Sequence, residues 1–356
     1  MTDIDERYEA LADRVRDAAA RGRALTIRGG GTKAFYGRRP AEDADVLDLR
    51  ELRGVVAYEP TELVVTVRTG TPLAEVEALL AEQGQRLPFE PPHFGDGATI
   101  GGAVAAGLSG PRRPWGGAVR DALLGVRIVN GRGETLKFGG QVMKNVAGYD
   151  VSRLMAGSLG TLGVLLEVSL KVTPRAPLEI TLVHELDEAE AIERLAGWSH
   201  HALAMTGTCH HDGRLYLRVC GGERALEAAR RAIGGDLMPQ AEGFWSDLRE
   251  QRHAFFAGEP PLWRLSLPPA TPPLGLGTTL HEWAGAQRWL RTDATAETIH
   301  ETTRRTGGHA TLFRGHDGTG EAFAPLPDAL AALHRRVKQA MDPQGIFNRG
   351  RMYGWL

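Results

Sequence analysis

Apolar residues at Tyr8, Leu11, Ala12, Val15, Ala18 and Ala19 recur at helical spacing, and Gly22 supplies a stop, so the chain opens on an amphipathic helix. A short strand, Ala24 to Arg28, runs into Gly29-Gly30-Gly31-Thr32-Lys33, and a second short strand reads Val46 to Leu49. Leu63 to Arg68 (LVVTVR) has the apolar run of a buried strand. Gly70-Thr71-Pro72 breaks it, and Pro72 suits the first turn of a helix Leu73 to Glu82 with the stripe Leu73, Val76, Leu79 and Leu80. Leu123 to Asn130 and Glu134 to Phe138 predict a hairpin across Gly131-Arg132-Gly133. Leu162 to Val172 is a long apolar strand that ends at Thr173-Pro174.

After Pro174 the pattern changes, and Pro174 and Pro177 mark a domain boundary. A strand (Leu178–His184), a helix (Asp187–Trp198), strands at Ala202–Thr208 and Arg214–Cys220 and a helix (Glu223–Ile233) follow. A weaker second set comprises Leu262–Leu267, Gln287–Arg291, a helix near Ala294–Arg305 and a strand His309–Phe313, with a Pro-rich loop from Pro268 to Pro273. That order predicts an antiparallel sheet with helices on one face, an α+β domain. A last helix, Asp328 to Met341, stops at Asp342-Pro343, and Phe347, Tyr353 and Trp355 predict a docked tail. The expected division is 1–174, 175–325 and a returning piece 326–356.

Composition narrows the classes without naming one. The chain has 356 residues, 42% apolar and 24% charged, which is enough for a packed core in more than one domain. A net charge of −2 gives no drive toward nucleic acid or anionic membrane. The only cysteines, Cys209 and Cys220, cannot by themselves ligate an iron–sulfur cluster, and their scarcity suits a reducing compartment. The acidic start, with Asp3, Asp5 and Glu6, does not read as a signal peptide. The longest uncharged run, Gly97 to Pro111, is too short and too glycine-rich to span a membrane.

Three segments carry candidate chemistry. In Arg28, Gly29, Gly30, Gly31, Thr32 and Lys33, glycines directly after a strand either make a tight turn or present N–H groups as a nest for phosphate oxygens. From Gly95 through Asp96, Gly97, Thr99, Ile100, Gly101 and Gly102 to Gly107, Ser109 and Gly110, small residues leave little side chain to pack. The space is then filled by a flat ring and a pyrophosphate, or by a close helix–helix contact. The third segment is Met143 to Asp150 followed by Gly157, Gly160, Gly163 and Val164, with glycine at every third position leading into a strand. Lys144 there is either a phosphate or flavin counter-charge or a surface charge.

Taken together, HFGDGATIGGAVAAGLSGPRRPWGGAVRD, MKNVAGYDVSRLMAGSLGTLG and the terminal DPQGIFNRGRM resemble the FAD-binding domain shared by vanillyl-alcohol oxidase, para-cresol methylhydroxylase and D-lactate dehydrogenases. Within that family the chain is most similar to the small FAD-binding subunit of bacterial glycolate oxidase. The resemblance implies an α+β fold: an FAD-binding domain of the para-cresol methylhydroxylase type over 1–174, a ferredoxin-like antiparallel cap over 175–325, and a tail returning toward the first domain. It implies that Gly29 to Lys33 and Thr99 to Gly102 bind the pyrophosphate and that Gly107 to Gly110 line the flavin. Gly163 and Val164 would give main-chain contacts. Some relatives attach FAD through a histidine in the first glycine turn; Thr32 and Lys33 stand there, so noncovalent FAD is implied. It also implies a cytoplasmic chain, peripheral to the inner membrane only through partners.

Departures from the family pattern leave the reaction open. Relatives that act on D-2-hydroxy acids carry a signature like HxHxGDGN, whereas the nearest text here holds His309 and His316 at a spacing that does not make a metal site. No metal is assigned. The pairs His200-His201 and His210-His211 are poor chelates on a strand and are expected at the surface. Arg112 and Arg113 could clamp a substrate carboxylate, pair with cofactor phosphate or meet a partner subunit. Three functions follow. The first is an FAD-binding subunit of a complex that oxidises glycolate to glyoxylate, alongside a larger flavoprotein subunit and an iron–sulfur subunit. The second is a self-sufficient dehydrogenase of a small 2-hydroxy acid, using Arg112 or Arg113 and His309 or His316. The third is a non-catalytic assembly subunit.

Overall fold

The computed structural model describes residues 3–41, 43–140, 150–259, 261–315, 318 and 320–356. Lys144 and His316 lie outside them. The chain forms two units. One holds Met1–Leu108, Ala118–Pro174 and Gly318–Leu356, and the other holds Ser109–Gly117 and Arg175–Asp317.

In the first unit, β1 (Leu25–Arg28) pairs in parallel with β2 (Asp45–Asp48). β3 (Val55–Glu59), β4 (Val64–Arg68), β6 (Leu123–Val129), β7 (Thr135–Gly139) and β8 (Val164–Lys171) form an antiparallel sheet in the order β3-β4-β8-β6-β7, and β5 (Gln85–Arg86) pairs with β9 (Thr173–Pro174). The mostly apolar run of β8, broken only by Glu167, Ser169 and its terminal Lys171, is explained by its central place, because both faces are covered. Leu165, Val168 and Leu170 enter one core with Leu73, Val76 and Leu80 of the helix Leu73–Glu82 and with Ile100 and Val104. Val164 and Leu166 enter a second core with Tyr8, Ala12 and Val15 of the helix Asp3–Arg21 and with Phe347. Each valine, leucine, isoleucine or phenylalanine among them contributes roughly 1.5–3 kcal/mol when fully buried.

The predicted hairpin forms between β6 and β7, in the register Val129↔Thr135. Asn130 closes it, its Oδ1 accepting from the N–H groups of Arg132 and Glu134 at 2.9 and 3.0 Å. Several elements of this unit escape the sequence pattern. β3 is an edge strand with Val55 and Val56 exposed, and Ile100–Ala106 is a helix made of small residues without an amphipathic stripe.

The second unit is one sheet of eight strands: β10 (Leu178–Glu185), β11 (Met205–His211), β12 (Arg214–Gly221), β13 (Asp236–Met238), β14 (Leu262–Ser266), β15 (Thr278–Glu282), β16 (Gln287–Arg291) and β17 (His309–Arg314). Their order is β13-β10-β12-β11-β15-β16-β14-β17, antiparallel throughout. The first four strands, with the helices Glu188–Trp198 and Glu223–Ile233, make a ferredoxin-like βαββαβ arrangement. The second four repeat its strand order with a single helix, Ala296–Arg305, and the Pro-rich loop stands where the other helix would be. The repeats join through β11 and β15, at Cys209↔Glu282 and His210↔His281. β11 begins later than the apolar pattern indicates, with a bulge between Met205 and Gly207. His210 lies on a stretch of β11, Gly207 to His210, that is buried on both faces. It is 5% exposed and its Nε2 lies 2.9 Å from the Leu186 carbonyl, which corrects the surface role expected for it, while His200 and His201 are exposed.

Candidate functional site

The glycine turn follows β1 directly. A Cβ on Gly30 would fall on the Gly97 carbonyl and one on Gly29 would fall on Thr99 Oγ1, so the turn lies against the Gly97 main chain and the Thr99 side chain. Gly31 has φ 75°, in the left-handed region that glycine adopts without strain. Thr32 Oγ1 donates to the His93 carbonyl at 2.7 Å and Lys33 Nζ donates to it at 3.1 Å, with the ammonium 5.7 Å from the Phe94 ring centre. Among the described residues, the N–H groups of Gly29, Gly30, Gly31 and Thr32 have no protein acceptor. Four consecutive unengaged donors beside a lysine make a nest for an anion.

The threonine–glycine segment is different. Thr99 caps the helix Ile100–Ala106, its Oγ1 accepting from Gly102 N at 3.2 Å. The N–H groups of Ile100 and Gly101 donate to the carbonyls of Thr71 and Thr69 at 3.0 and 2.9 Å. These donors are already used, and the run of small residues does not leave a void on this face. A Cβ on Gly101 would lie 2.5 Å from Thr69 Cβ, and Ile100, Ala103, Val104 and Ala106 are buried. The glycines here allow the helix to pack against the end of β4. Asp96 and Gly97 are exposed on the preceding loop.

At its other end this helix meets the third segment. Gly107 (φ 65°) is the C-cap, and a Cβ on it would lie 2.8 Å from Gly157 Cα. Gly157 N donates to the Val104 carbonyl at 3.0 Å and Leu159 N to that of Ala105 at 2.8 Å. Ser158 Oγ is buried without a hydrogen-bond partner. The sequence reading passed over Ser158; a hydroxyl set among glycines was the available signal. Gly163 approaches the Val129 carbonyl, and Val164 begins β8, fully buried.

The terminal DPQGIFNRGRM motif joins these pieces. Asn348 bridges β1 and the third segment, and Arg351, 8% exposed, donates to the carbonyls of Lys33, Ala34 and Arg38 at 3.2, 2.8 and 2.9 Å. Burial lowers the Arg351 guanidinium to about 10. Beneath them, buried Lys338 donates to the carbonyls of Thr161 and Phe347 and to Asp342 Oδ2 at 2.7, 2.9 and 2.8 Å. Gly29–Lys33, Asp96–Gly102, Gly107 and Gly157–Val164 are thus tied together within the first unit.

Ser109 and Gly110 belong to the second unit, as do Arg112 and Arg113. Ser109 Oγ is buried and unpartnered, while the Gly110 carbonyl accepts from Trp283 Nε1 at 3.0 Å. Arg112 Nη2 lies 3.5 Å from Glu179 Oε2 and 3.5 Å from Cys220 Sγ, and Arg113 stacks 4.5 Å above the Trp283 ring. Each arginine has an internal partner of its own. His309 is exposed at the start of β17. Among the described residues no group of three or more His, Cys, Asp or Glu side chains is arranged to hold a metal ion. None of the described helices is long and apolar enough to cross a membrane.

A nucleotide pyrophosphate fits the unengaged N–H groups of residues 29–32, and Ser158 of the same unit keeps an unpartnered hydroxyl. Comparison with known proteins agrees with that chemistry. A family described as "FAD binding domain" matches residues 6–139. Over 98% of its length the chain is 49% identical to glycolate oxidase subunit GlcE of Escherichia coli (strain K12), of which it covers 98%. It is 29% identical to glycolate oxidase subunit GlcD of Bacillus subtilis (strain 168) over 53% of this chain and 43% of that one. Among solved structures, alkyldihydroxyacetonephosphate synthase superposes with a TM-score of 0.67 over 95% of this chain and 73% of that one; at 15% identity the likeness is one of fold.

Proposed function

Because the chain belongs to the FAD-binding oxidoreductase family that includes the glycolate oxidase subunit it matches nearly end to end, we propose that it is the FAD-binding subunit of a complex oxidising glycolate to glyoxylate. The observation that carries FAD binding is the row of unengaged N–H groups at Gly29–Thr32. They would hold the pyrophosphate, with Arg28 and Lys33 supplying positive charge nearby. Thr99 and the Thr99–Gly102 turn shape that nest by pressing on it rather than by donating to phosphate. Gly107 and the Gly157–Val164 segment would line the flavin, with Ser158 as a hydroxyl donor. No histidine stands in the glycine turn, so the cofactor is held noncovalently. Bound FAD supplies the two-electron chemistry of 2-hydroxy-acid oxidation and passes electrons onward.

The domain over 1–174 with the returning tail is the cofactor domain, and the antiparallel sheet over 175–325 is a second domain. A larger flavoprotein subunit and an iron–sulfur subunit complete the complex, which is cytoplasmic or held at the inner membrane through them. Purification of the chain alone and with its neighbouring subunits, with an absorbance spectrum of each, tests the reading. Flavin at one equivalent on the isolated chain, not bleached by glycolate until the partners are added, is the expected result. Bleaching of the isolated chain would favour the self-sufficient dehydrogenase. A folded, colourless chain that takes up no FAD would leave only the assembly role.

A further inference from the structure

We propose that His93 and Phe94 are positioning residues for the cofactor site: they clasp Lys33, so that its ammonium stands fixed at the end of the N–H row of residues 29–32 and meets the pyrophosphate there. The proposal rests on the FAD-binding reading above and lies wholly within the first unit. Lys33 Nζ donates to the His93 carbonyl at 3.1 Å and lies 5.7 Å from the centre of the Phe94 ring, within reach of a cation–π contact. It is also 3.4 Å from Thr32 Oγ1, which donates to the same carbonyl at 2.7 Å. One carbonyl and one ring thus hold the ammonium beside the last residue of the row. A lysine left to itself samples many rotamers, whereas an ammonium already held needs no ordering when an anion arrives.

The clasp is itself held, and this is the second, independent observation. His93 Nε2 lies 2.9 Å from Glu77 Oε2 on the helix Leu73–Glu82, whose Leu73, Val76 and Leu80 are buried, so the ring anchors the residue whose carbonyl meets Lys33. The Phe94 ring meets the Phe35 ring edge to face, with centres 5.6 Å apart. Phe94 has φ 55° and Gly95 follows at φ 139°. The left-handed region is strained for an aromatic residue, and such strain persists only where its surroundings impose it. Pro91 and Pro92 stiffen the approach to this turn, and beyond it a Cβ on Gly95 would lie 3.3 Å from Thr32 Cγ2. The strained turn brings the ring to Lys33 and the following glycine to Thr32.

The test uses the full chain with FAD and reads affinity over a range of salt concentrations. Lys33→Met removes the charge and is expected to weaken FAD binding on the order of tenfold and to flatten its salt dependence. Phe94→Leu keeps the bulk and removes the ring, with an expected loss of about two- to fivefold, while Phe94→Tyr keeps the ring and should match the wild type. In the Lys33→Met background Phe94→Leu should weaken binding no further, because the ring acts through the ammonium. The absorption bands of bound flavin should be the same in every variant, since the ammonium meets phosphate and not the isoalloxazine. If Phe94→Leu does not fold, Glu77→Ala removes the anchor and is read in the same cycle. Wild-type affinity in Lys33→Met, a Phe94→Leu loss that persists without the ammonium, a Phe94→Tyr variant as weak as Phe94→Leu, or a shifted flavin band overturns the inference while FAD binding by the wild type stands. A wild-type chain that binds no FAD would instead fell the functional reading itself.

Discussion

Asn348 Nδ2 donates to the Leu159 carbonyl at 2.6 Å, linking the C-terminal motif to the glycine segment that follows the small-residue helix. Its Oδ1 accepts from Ile27 N at 2.8 Å, two residues before the first glycine turn. One side chain therefore sets the spacing of two backbone segments 132 residues apart, by the numbers 27 and 159. Asn348 also has φ 39°, a conformation asparagine tolerates better than most residues. Asn348→Ala strands a buried carbonyl and a partly buried N–H, with an expected loss of about 2 kcal/mol in chemical denaturation and a weaker FAD complex. Asn348→Asp keeps the acceptor for Ile27 but sets a carboxylate oxygen against the buried Leu159 carbonyl, so it should be at least as damaging as Ala. An Ala variant with wild-type stability and affinity would show that the bridge does nothing.

Gly30 and Gly101 separate cofactor binding from folding. A Cβ on Gly30 falls on the Gly97 carbonyl at the surface of the turn, so Gly30→Ala must move the unengaged donors while the core stays intact. FAD affinity is expected to drop on the order of tenfold or more, with little change in melting temperature. Gly101→Val drives its side chain into Thr69 inside the sheet–helix contact, where overpacking costs about 1–3 kcal/mol. Its defect should appear in the melting temperature of the cofactor-free chain. Isothermal titration with FAD beside thermal unfolding without it distinguishes the two.

Much of this was legible in the sequence, for stateable reasons. β4, β8 and the hairpin of β6 and β7 have apolar runs or alternation long enough to declare themselves, and the glycine turn announces itself by following a strand. The helix Ile100–Ala106 was hidden because glycine and alanine give no stripe, and its tight fit against Thr69 depends on a strand about 30 residues earlier that spacing alone does not bring near. β15 was missed between a Pro-rich loop and a strained turn; it becomes a strand by pairing with β11 and β16. Asn348 and Trp283 act through main-chain partners remote in sequence, which no local pattern displays.

Alkaline pH should loosen the first unit through Tyr8. Burial, with the hydrogen bond to Glu167 at 2.7 Å, raises the Tyr8 hydroxyl to about 12. The unfolded chain gives up that proton near pH 10 while the folded one keeps it, so the folded state holds more protons and stability falls as pH rises between about 10 and 12. The loss is expected to be on the order of 2 kcal/mol at the upper end. Tyr8→Phe should be the less stable protein at pH 8, for want of the hydrogen bond, yet show a shallower decline between pH 10 and 12 in urea titrations. Parallel declines for the two proteins would assign the alkaline loss to other groups.

Arg112 allows a choice between gripping substrate and holding the second unit together. Its side chain is buried, with Nη2 3.5 Å from the Glu179 carboxylate and 3.5 Å from the Cys220 thiol, and Cys220 Sγ itself donates to Glu179 Oε2 at 2.9 Å. Burial pushes the Cys220 thiol up, with the Glu179 hydrogen bond adding to it, so the thiol stays protonated and the carboxylate remains the charge that Arg112 meets. The Arg112 Nη2 is thereby committed to Glu179 and Cys220 inside the second unit. Arg112→Ala is therefore expected to lower stability by about 1–2 kcal/mol, since Glu179 is partly exposed and its pairing is partly screened. The KM of the assembled complex for glycolate should remain within about twofold of wild type, well short of the loss when a buried charge pair to a ligand is broken. A KM raised a hundredfold with unchanged melting temperature would return Arg112 to the substrate site.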